Sequence, residues 1–383
     1  MRWATARRPR ATASNSSRSG GTSSANAFHL AGPVQSGAFQ YFLYKGGAAS
    51  ANSFFLRSTF ESDEPAAAVA ATGAVAAAAS AVVNASANAA AAAGPAPVAF
   101  RPGAVGYSMT PSLNTDYGFT ILGRLQDRVG DLASVDAAQP GGKDGIWGRI
   151  GGESLDADSM GRFSTQARTF FAQFGKDWML SQGDAGGSTH AGVTVNFGSS
   201  SANFDDNLRS LNPLLTNSAG SVETQAQSVG GYWTRYLPDG TYFDGVGQIT
   251  HYENTYGDVA GDSASQNGFG AGVSGEVGKP FALGSSSIAI EPQAQLLYQY
   301  VHLNQFDDNV SPISGNSTNA LRGRIGFRLF RANLSNDAKT TRGDPVSDRG
   351  RAARLFLAGP DERRRHLVRQ RPEQDPGTKS AAG

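Results

Sequence analysis

The most constraining feature of the chain is an alternation of apolar and polar residues that recurs from Lys143 onward. In IEPQAQLLYQY, residues 290–300, apolar side chains occupy the even positions, and Glu or Gln occupies every odd position except Leu297. A period of two places successive side chains on opposite faces of a β-strand. Eight such runs, joined by turns rich in Gly, Asn, Asp and Ser, predict an all-β fold of antiparallel strands.

Two architectures produce this alternation. A soluble sandwich or barrel turns the apolar face inward, whereas a membrane barrel turns it toward lipid and keeps a polar lumen. Several runs reach ten residues or more, whereas strands of soluble domains average about five or six. Aromatic residues such as Tyr242 and Tyr252 lie near the ends of runs, as they do at membrane interfaces, and charged residues sit in the middle of polar faces. These features favour the membrane barrel.

The alternation also assigns a face to each side chain. In LRGRIGFRLF, Ile325, Phe327 and Leu329 alternate with arginines. A slip of one residue would place the guanidinium groups in lipid, at about 2–4 kcal/mol each near the midplane. We therefore expect the apolar residues to point outward and the arginines inward. The residues predicted to face the lumen are Arg149, Asp244, Gln248, Glu291, Gln293, Gln295, Arg322, Arg324 and Arg328.

A single helix is predicted before the strands, within residues 106–133. The helical period starts at about Leu113 and places three apolar residues on one face, with charged residues around the rest. On pattern alone, this is a surface helix lying on a core. Its predicted functional residues are Leu122, Arg124, Leu125, Asp127, Arg128 and Val129.

The remaining segments differ in composition. Residues 1–26 are rich in Arg, Ser and Gly and are predicted to be disordered, without a secretory signal in the chain as written. Residues 27–60 predict a compact β unit that is too small to hold a core alone. Residues 61–105 are dominated by Ala and predict a linker, with a membrane-spanning helix as the alternative. The strand runs of residues 143–334 are predicted to form part of a barrel, and residues 335–383 lose the alternation.

The residue types argue against catalysis, metal binding and nucleic-acid binding. The formal net charge is +1 and there is no Cys. GAGVSG, residues 270–275, matches a dinucleotide-binding glycine pattern, but it lies within a strand run and no helix follows. Asp307 and Asp308 are expected in a solvated loop. We expect no cofactor, metal site or catalytic residue; the five histidines are dispersed, at His29, His190, His251, His302 and His366.

Several segments, taken in order, resemble one family. GAFQYFLYKGG and NSFFLRSTF are similar to the last β unit of a pertactin-like passenger, and FRPGAVGYSMTPSL followed by LGRLQDRVGDL is similar to the start of a pore helix. Five later segments are similar to successive barrel strands: IWGRIGGE, QFGKDWML, GGYWTRYLPDGTYFDGVGQITHY, IEPQAQLLYQY and ALRGRIGFRLF. Over residues 27–334 the chain resembles the autotransporter proteins of Gram-negative outer membranes, which belong to type V secretion.

The resemblance implies a fold and a function. The fold is an antiparallel transmembrane β-barrel with an N-terminal pore helix and a short β-helix-type passenger remnant. The function is non-catalytic export of the chain's own passenger segment across the outer membrane, with membrane lipid and the barrel assembly machinery as partners and no nucleic acid. The resemblance also implies that the predicted helix lies inside the pore and not on a protein surface. Self-cleavage at an Asn pair, known in some relatives, is not implied, because residues 118–131 contain no Asn.

The family pattern has twelve strands and a C-terminal aromatic residue, whereas this sequence shows eight runs and ends in Gly383. The segment from Arg342 onward carries nine Arg and no alternation. A frameshifted, disordered tail fits this segment better than a nucleic-acid-binding tail, because Phe356 is its one aromatic residue for stacking. We therefore expect that the chain as written does not form a working pore. The alternatives left open are the C-terminal part of a surface adhesin and a non-functional gene fragment.

Overall fold

The chain forms a small N-terminal sheet, two helices and a large antiparallel sheet. The computed structural model describes residues 14–17, 28–46, 53–60, 97–129, 145–159, 161–183, 186–212, 214–283, 288–331 and 353–356. In chain order the elements are β1 (Ser14–Ser17), β2 (Val34–Ser36), β3 (Phe39–Lys45), β4 (Phe54–Arg57), α1 (Pro102–Leu122), α2 (Leu125–Val129), β5 (Gly145–Ser159), β6 (Phe163–Gln182), β7 (Ser188–Asp206), a 3-10 helix (Asn207–Leu211), β8 (Ser218–Tyr236), β9 (Tyr242–Asp258), β10 (Ser263–Gly278), β11 (Phe281–Ala282), β12 (Ile288–Leu303), β13 (Phe306–Asp307), β14 (Pro312–Ile313), β15 (Asn316–Arg331) and β16 (Ala353–Phe356).

Eight long strands make up the large sheet, in the order β15-β12-β10-β9-β8-β7-β6-β5. Each long strand pairs antiparallel with its neighbours, so the predicted all-β fold of about eight strands is confirmed. Helix α1 contacts seven of these strands and α2 contacts the eighth, β5. One helix can touch so many strands only if the sheet curls around it. The sheet is therefore a half-barrel with α1 on its concave face.

The two ends of the sheet differ. The two longest connections, β7–β8 and β12–β15, lie at one end, which we call the loop end. Helix α2 lies against β5 at the opposite end, which we call the α2 end. Residues 28–46, 53–60 and 97–101, which we call the N-terminal β unit, lie at the loop end, where Arg162 and Arg209 of the large sheet's connections contact them.

The side chains of the long strands alternate between the two faces, and the polarity of the faces changes along each strand. In the half next to the α2 end, the convex face carries exposed apolar residues; these include Ile146, Phe174, Val193, Phe197, Ile249, Val273, Leu296 and Ile325. In the half next to the loop end, the convex face is polar; these residues include Asp156, Arg168, Ser201, Glu223, Glu253, Ser265 and Ser317. On the concave side there, residues of α1 and of the sheet form one apolar cluster. Its members are Val105, Tyr107 and Leu113 of α1 and Ala167, Ala202, Phe204, Ala219, Val222 and Tyr256 of the sheet.

This reversal corrects the expectation of a lumen that is polar throughout. The α2 half has the pattern of a sheet in lipid, with apolar residues outside. The loop half has the pattern of a sheet with one face in water, with apolar residues inside. A single strand such as β9 follows both rules in turn: Ile249 is exposed on the convex face, and Tyr256, seven residues later, is buried on the concave face.

Helix α1 begins at Pro102, earlier than both the segment 106–133 and the period starting near Leu113 predict. Proline suits the first turn because its missing N–H would have no partner there. The predicted single helix is also divided. Gly123, with a φ of 56°, ends α1, and α2 starts at Leu125. Glycine adopts this left-handed backbone without the steric cost that other residues meet there.

Two segments predicted to be disordered contain short strands. β1 pairs with β4, and β16 pairs with β15, both antiparallel. The edge strands β4 and β15 offer unpaired N–H and C=O groups, to which an extended segment can add. All pairs within the N-terminal β unit are antiparallel too, so its described strands form hairpins and not the parallel rungs of a β-helix. The rest of the predicted linker and tail, including His366, lies outside the described residues.

The polarity reversal predicts how arginine is tolerated along one face of one strand. We expect Ile249→Arg to lower the free energy of unfolding in lipid vesicles by about 2–4 kcal/mol, because the charge enters the apolar band. Thr255→Arg, on the same convex face of β9 but beyond the band, is expected to cost about 0–1 kcal/mol. Urea titrations followed by tryptophan fluorescence measure both. Equal losses for the two variants would show that the exposed apolar band does not face lipid.

Candidate functional site: the helix seat

Helix α1 is largely buried against the sheet. Sixteen of its 21 residues are buried. The other five lie mainly along one stripe of the helix, in which Ser112 is exposed; they are Ser108, Met109, Ser112, Asp116 and Thr120. A buried helix needs no apolar stripe, and α1 has none. The hydroxyls of Thr110 and Thr115 donate to the carbonyls of Gly106 and Pro111 within the helix, which satisfies polar groups that have no access to solvent.

Glycines let the helix approach the sheet closely. A Cβ added at Gly118 would lie 2.5 Å from Cδ of Gln299, and one added at Gly106 would lie 3.1 Å from Cε2 of Phe204. Contacts this short leave no room for a methyl group unless the neighbouring side chain moves. The side chain of Gln299 is completely buried in this contact. The two glycines therefore fix which face of α1 meets the sheet.

Side chains of α1 pair with side chains of the concave face at several heights. Asn114 donates through Nδ2 to Oδ1 of Asn254 at 3.2 Å, and Thr224 donates to the same oxygen at 2.7 Å. Asp116 accepts a hydrogen bond from the guanidinium of Arg322 in an ion pair. These groups are buried or nearly so, and each carries a partner that compensates its removal from water.

The C-terminal end of α1 is held by donors that come from four places in the chain. A helix leaves its last four carbonyl groups without partners inside the helix, and positive charge near them is favourable. Side chains of three strands and of α2 supply hydrogen bonds at this end. The pairs are Gln248 Nε2 to Gly118 O at 3.1 Å, Arg149 Nη2 to Ile121 O at 2.7 Å, Arg128 Nη1 to Leu122 O at 3.2 Å and Gln295 Nε2 to Gly123 O at 2.7 Å.

Helix α2 is fixed by two carboxylates of the sheet. Glu276 accepts from the backbone N–H of Leu125 at 3.1 Å, which caps the first turn of α2. Asp244 forms an ion pair with Arg128 at 2.6 Å, and both side chains are completely buried. The hydroxyl of Thr234 also donates to Asp244, at 2.6 Å. The attraction between two buried charges offsets the cost of removing them from water only where further hydrogen bonds, such as that from Thr234, satisfy the charged groups.

A second buried polar network lies beside α2. Asp177 accepts from the hydroxyl of Tyr232 at 2.8 Å and is 2.7 Å from Nδ1 of His190. The indole N–H of Trp147 donates to the hydroxyl of Tyr232 at 3.1 Å, and the ring of Tyr232 lies beneath the guanidinium of Arg128. The network links β5, β6, β7 and β8 to α2.

The predicted site residues divide into two groups. Five of the nine predicted to face the lumen bond directly to α1 or α2; these are Arg149, Asp244, Gln248, Gln295 and Arg322. For the other four, the bonds that define their place run within or between strands. Arg324 contacts Gln295 and Glu276, Arg328 contacts Glu291, and Gln293 donates to Glu291.

The predicted helix residues also differ in their surroundings. Leu122, Leu125 and Arg128 are buried against the sheet. Arg124 and Asp127 form an ion pair with each other at 2.6 Å on the more exposed side of α2. Val129 ends α2, and its side chain lies outside the described residues.

We call the concave-face side chains that contact α1 and α2 the helix seat. Several of its residues were not predicted from the sequence. Asn254, Thr224 and Glu276 hold the helices but were not among the predicted site residues. The alternation contains a signal for them, because each shares the parity of its strand's buried positions. Gly118 gave no signal, since a glycine in a helix is distinguished only by what packs on it.

Alternative chemistries find no support in the described part of the chain. Within those residues, no group of three or more His, Cys, Asp or Glu could hold a metal ion. The GAGVSG stretch lies inside β10, and a turn and short strand follow it instead of a helix. None of the helices among the described residues is long and apolar enough to cross a membrane.

Comparison with known families identifies one match. The model of the autotransporter beta-domain matches residues 146–342, just over half of the 383-residue chain. The adhesin BmaC autotransporter of Brucella suis biovar 1 (strain 1330) is 28% identical over 229 residues, which cover 55% of this chain and 6% of that protein. The uncharacterized protein YdeU of Escherichia coli (strain K12) is 26% identical over 300 residues, covering 74% of this chain and 58% of that protein. The chain thus spans less than two thirds of either relative.

Two solved structures are similar in part. The beta domain of the Bordetella autotransporter Brka is 20% identical, with a TM-score of 0.40, and the match covers 51% of this chain and 74% of that one. The translocator domain of the autotransporter NalP from Neisseria meningitidis is 16% identical, with a TM-score of 0.41, and the match covers 60% of this chain and 73% of that one.

The two arginines of the α2 region provide a matched test of the seat. We expect Arg128→Ala to lower the free energy of unfolding by about 3–5 kcal/mol, because it leaves the buried Asp244 carboxylate without its partner. Arg124→Ala removes an ion pair that is about one third exposed, and we expect it to cost about 0–1 kcal/mol. Urea unfolding in detergent measures the difference. A loss as small for Arg128→Ala as for Arg124→Ala would mean that α2 is not held by the sheet.

Proposed function

The chain belongs to the autotransporter β-domain family, and on that premise we propose that the concave face holds α1 as the tether of an N-terminal segment exported to the cell surface. The chain carries a translocator β-domain of type V secretion, which is a non-catalytic domain of the outer membrane. The predicted family, function and location are thereby confirmed, as is the prediction that the translocator domain is non-catalytic. The particular residues that hold the tether belong to the proposal.

The observation that supports a tether is the set of polar contacts beneath α1. A helix that merely filled space in the half-barrel would need only apolar neighbours. Instead, side chains such as Asn254 and Arg322 pair with α1, and donors of the sheet reach its C-terminal carbonyls. Such contacts hold the helix in one orientation, as is needed for a helix that anchors an exported segment.

The direction of the chain supports the same role. In bacterial outer-membrane barrels, the longer connections lie outside the cell and the short turns lie in the periplasm. By this rule, the loop end faces outward and the α2 end faces the periplasm. Helix α1 would then run from the surface inward, and the N-terminal β unit before it would lie outside. The own passenger segment and the barrel assembly machinery are the partners that this arrangement needs.

An adhesive passenger is the second candidate. The similarity to the adhesin BmaC autotransporter favours it. That similarity covers only 6% of the adhesin, so adhesion is proposed for the exported segment as a whole and for no residue described here. Adherence of cells that display the N-terminal segment, compared with cells that display the barrel without it, tests this candidate.

Two adjacent residues of β9 test the tether. Asn254 points into the seat and Glu253 is exposed on the convex face. The chain is expressed in a Gram-negative host behind a secretory signal peptide, with an epitope tag before Ala27. Asn254→Leu leaves Asn114 and Thr224 without their shared acceptor and is expected to reduce antibody binding to the tag on intact cells several-fold. Glu253→Leu is expected to leave it unchanged.

Heat-modifiable migration of the outer-membrane fraction separates export from barrel folding. The tether proposal requires that Asn254→Leu reduce surface display more than it reduces the folded band. If the tag of the unsubstituted chain stays inside the cell although the folded band forms, the chain does not export its N-terminal segment. If both variants display the tag equally, the polar seat is not what holds the tether.

A further inference from the structure

The segment that leads into α1 is enclosed by the N-terminal β unit. Ala99 lies between two strands: its carbonyl accepts from the N–H of Gln40 at 3.1 Å, and its N–H donates to the carbonyl of Ser58 at 2.8 Å. The N–H of Phe60 donates to the carbonyl of Pro97 at 2.8 Å. Residues 97–101 thus form isolated antiparallel bridges on both sides, to β3 and to the residues that follow β4.

Arg101 connects this unit to the large sheet. Its side chain is completely buried, and its guanidinium forms an ion pair with Asp308 at 2.5 Å. The same guanidinium donates to the carbonyl of Gly37, in the turn between β2 and β3. One side chain therefore ties the N-terminal β unit to the β12–β15 connection.

Two further arginines reach the unit from other connections of the loop end. Arg162, between β5 and β6, donates to the carbonyl of Val98 at 2.8 Å and is oriented by an ion pair with Asp206 at 2.7 Å. Arg209, in the 3-10 helix after β7, is 3.3 Å from the side-chain oxygen of Gln40. Three connections of the large sheet thus contact one small sheet.

The side chain of Asp308 is completely buried, whereas the sequence predicts a solvated loop residue. The backbone N–H groups of Val310 and Ser311 donate to its carboxylate at 2.9 and 2.8 Å. Burial would raise the pKa of Asp308, but these N–H groups and Arg101 outweigh it and hold the pKa below its usual value. A carboxyl group of this kind contributes stability above its unfolded pKa of about 3.9 and loses it only as the pH falls further. Asp308 is therefore charged at neutral pH.

From these contacts we propose that the loop end of the large sheet is a docking site for the chain's own N-terminal β unit, with the Arg101–Asp308 pair as its anchor. The proposal deepens the proposed function and rests on it for the claim that docking takes place at the cell surface. The unit is then held by contacts as well as by the covalent chain. After a cut between residues 61 and 96, the part of the unit that precedes the cut would then stay bound to residues 97–101 and to the loop end.

The experiment cuts that segment. The recognition sequence of a specific protease is placed between residues 61 and 96, and the full chain is refolded in detergent and cleaved. Dissociation of the N-terminal fragment from the barrel is followed by size-exclusion chromatography. We expect Asp308→Ala to release the fragment at least about tenfold faster than the unsubstituted chain, because Asp308 holds the Arg101 guanidinium that donates to the carbonyl of Gly37 in the fragment.

The neighbouring residue provides the control. Asp307 is exposed in the same connection, so Asp307→Ala removes an equal charge and is expected to change the release rate by less than about twofold. Asp308→Asn keeps the shape of the side chain and carries the test if Asp308→Ala fails to show heat-modifiable migration. It is expected to release the fragment faster than Asp307→Ala.

The outcomes separate this proposal from the proposed function. Immediate release from the unsubstituted chain, with normal display of the epitope tag on cells, overturns the docking site and leaves export intact. Equal release rates for the Asp307 and Asp308 variants also overturn it. Retention in detergent without display on cells keeps the docking site and contradicts export.

Discussion

A polar group that leaves water must find a partner, and this requirement governs how α1 sits on the sheet. The helix is mostly buried, yet it carries Asn114, Asp116 and carbonyl groups at its C-terminal end. Asn114 and Asp116 pair with side chains of the concave face. Side chains of the sheet and of α2 donate to the carbonyls of Ile121 and Leu122. Close packing at Gly106 and Gly118 restricts rotation of the helix, and hydrogen bonds of defined length restrict its sliding as well. The polar residues of the concave face therefore match the polar groups of α1 that they contact.

The two halves of the sheet solve this problem in different ways. Near α2, the convex face is apolar, and hydrogen bonds and ion pairs hold the helices beside a small apolar cluster that includes Phe119, Leu122 and Leu297. Near the loop end, the convex face is polar, and the helix rests on apolar side chains such as Phe204 and Val222. The change of solvent along the strand therefore appears inside the barrel as a change in the kind of contact.

This change also explains what the sequence could and could not predict. The strands were found where apolar residues alternate with polar ones, as at Ile249. The alternation is weak in the first half of β8, starting at Ser218, because Glu223 lies on the convex face and Val222 is the one large apolar residue there. The start of α1 was missed because most of its residues are buried, so that no apolar stripe distinguishes one face from the others. The face of each residue could be predicted, but its partner could not: Asn114 and Asn254 are 140 positions apart, and the rotation of the helix alone decides that they meet. Asp307 and Asp308 look alike in sequence, and only the fold shows which one anchors Arg101.

The row of bonds along α1 has a mechanical consequence. An α-helix rises about 1.5 Å per residue and turns about 100° with each step. A displacement of a single residue would therefore separate every donor from its acceptor at once, and no intermediate position would recover more than a few of the bonds. Seating is then an all-or-none event that occurs at one position of the chain. A polypeptide passing through such a barrel would move freely until α1 arrived and would stop there, whatever the length of the segment that went before it.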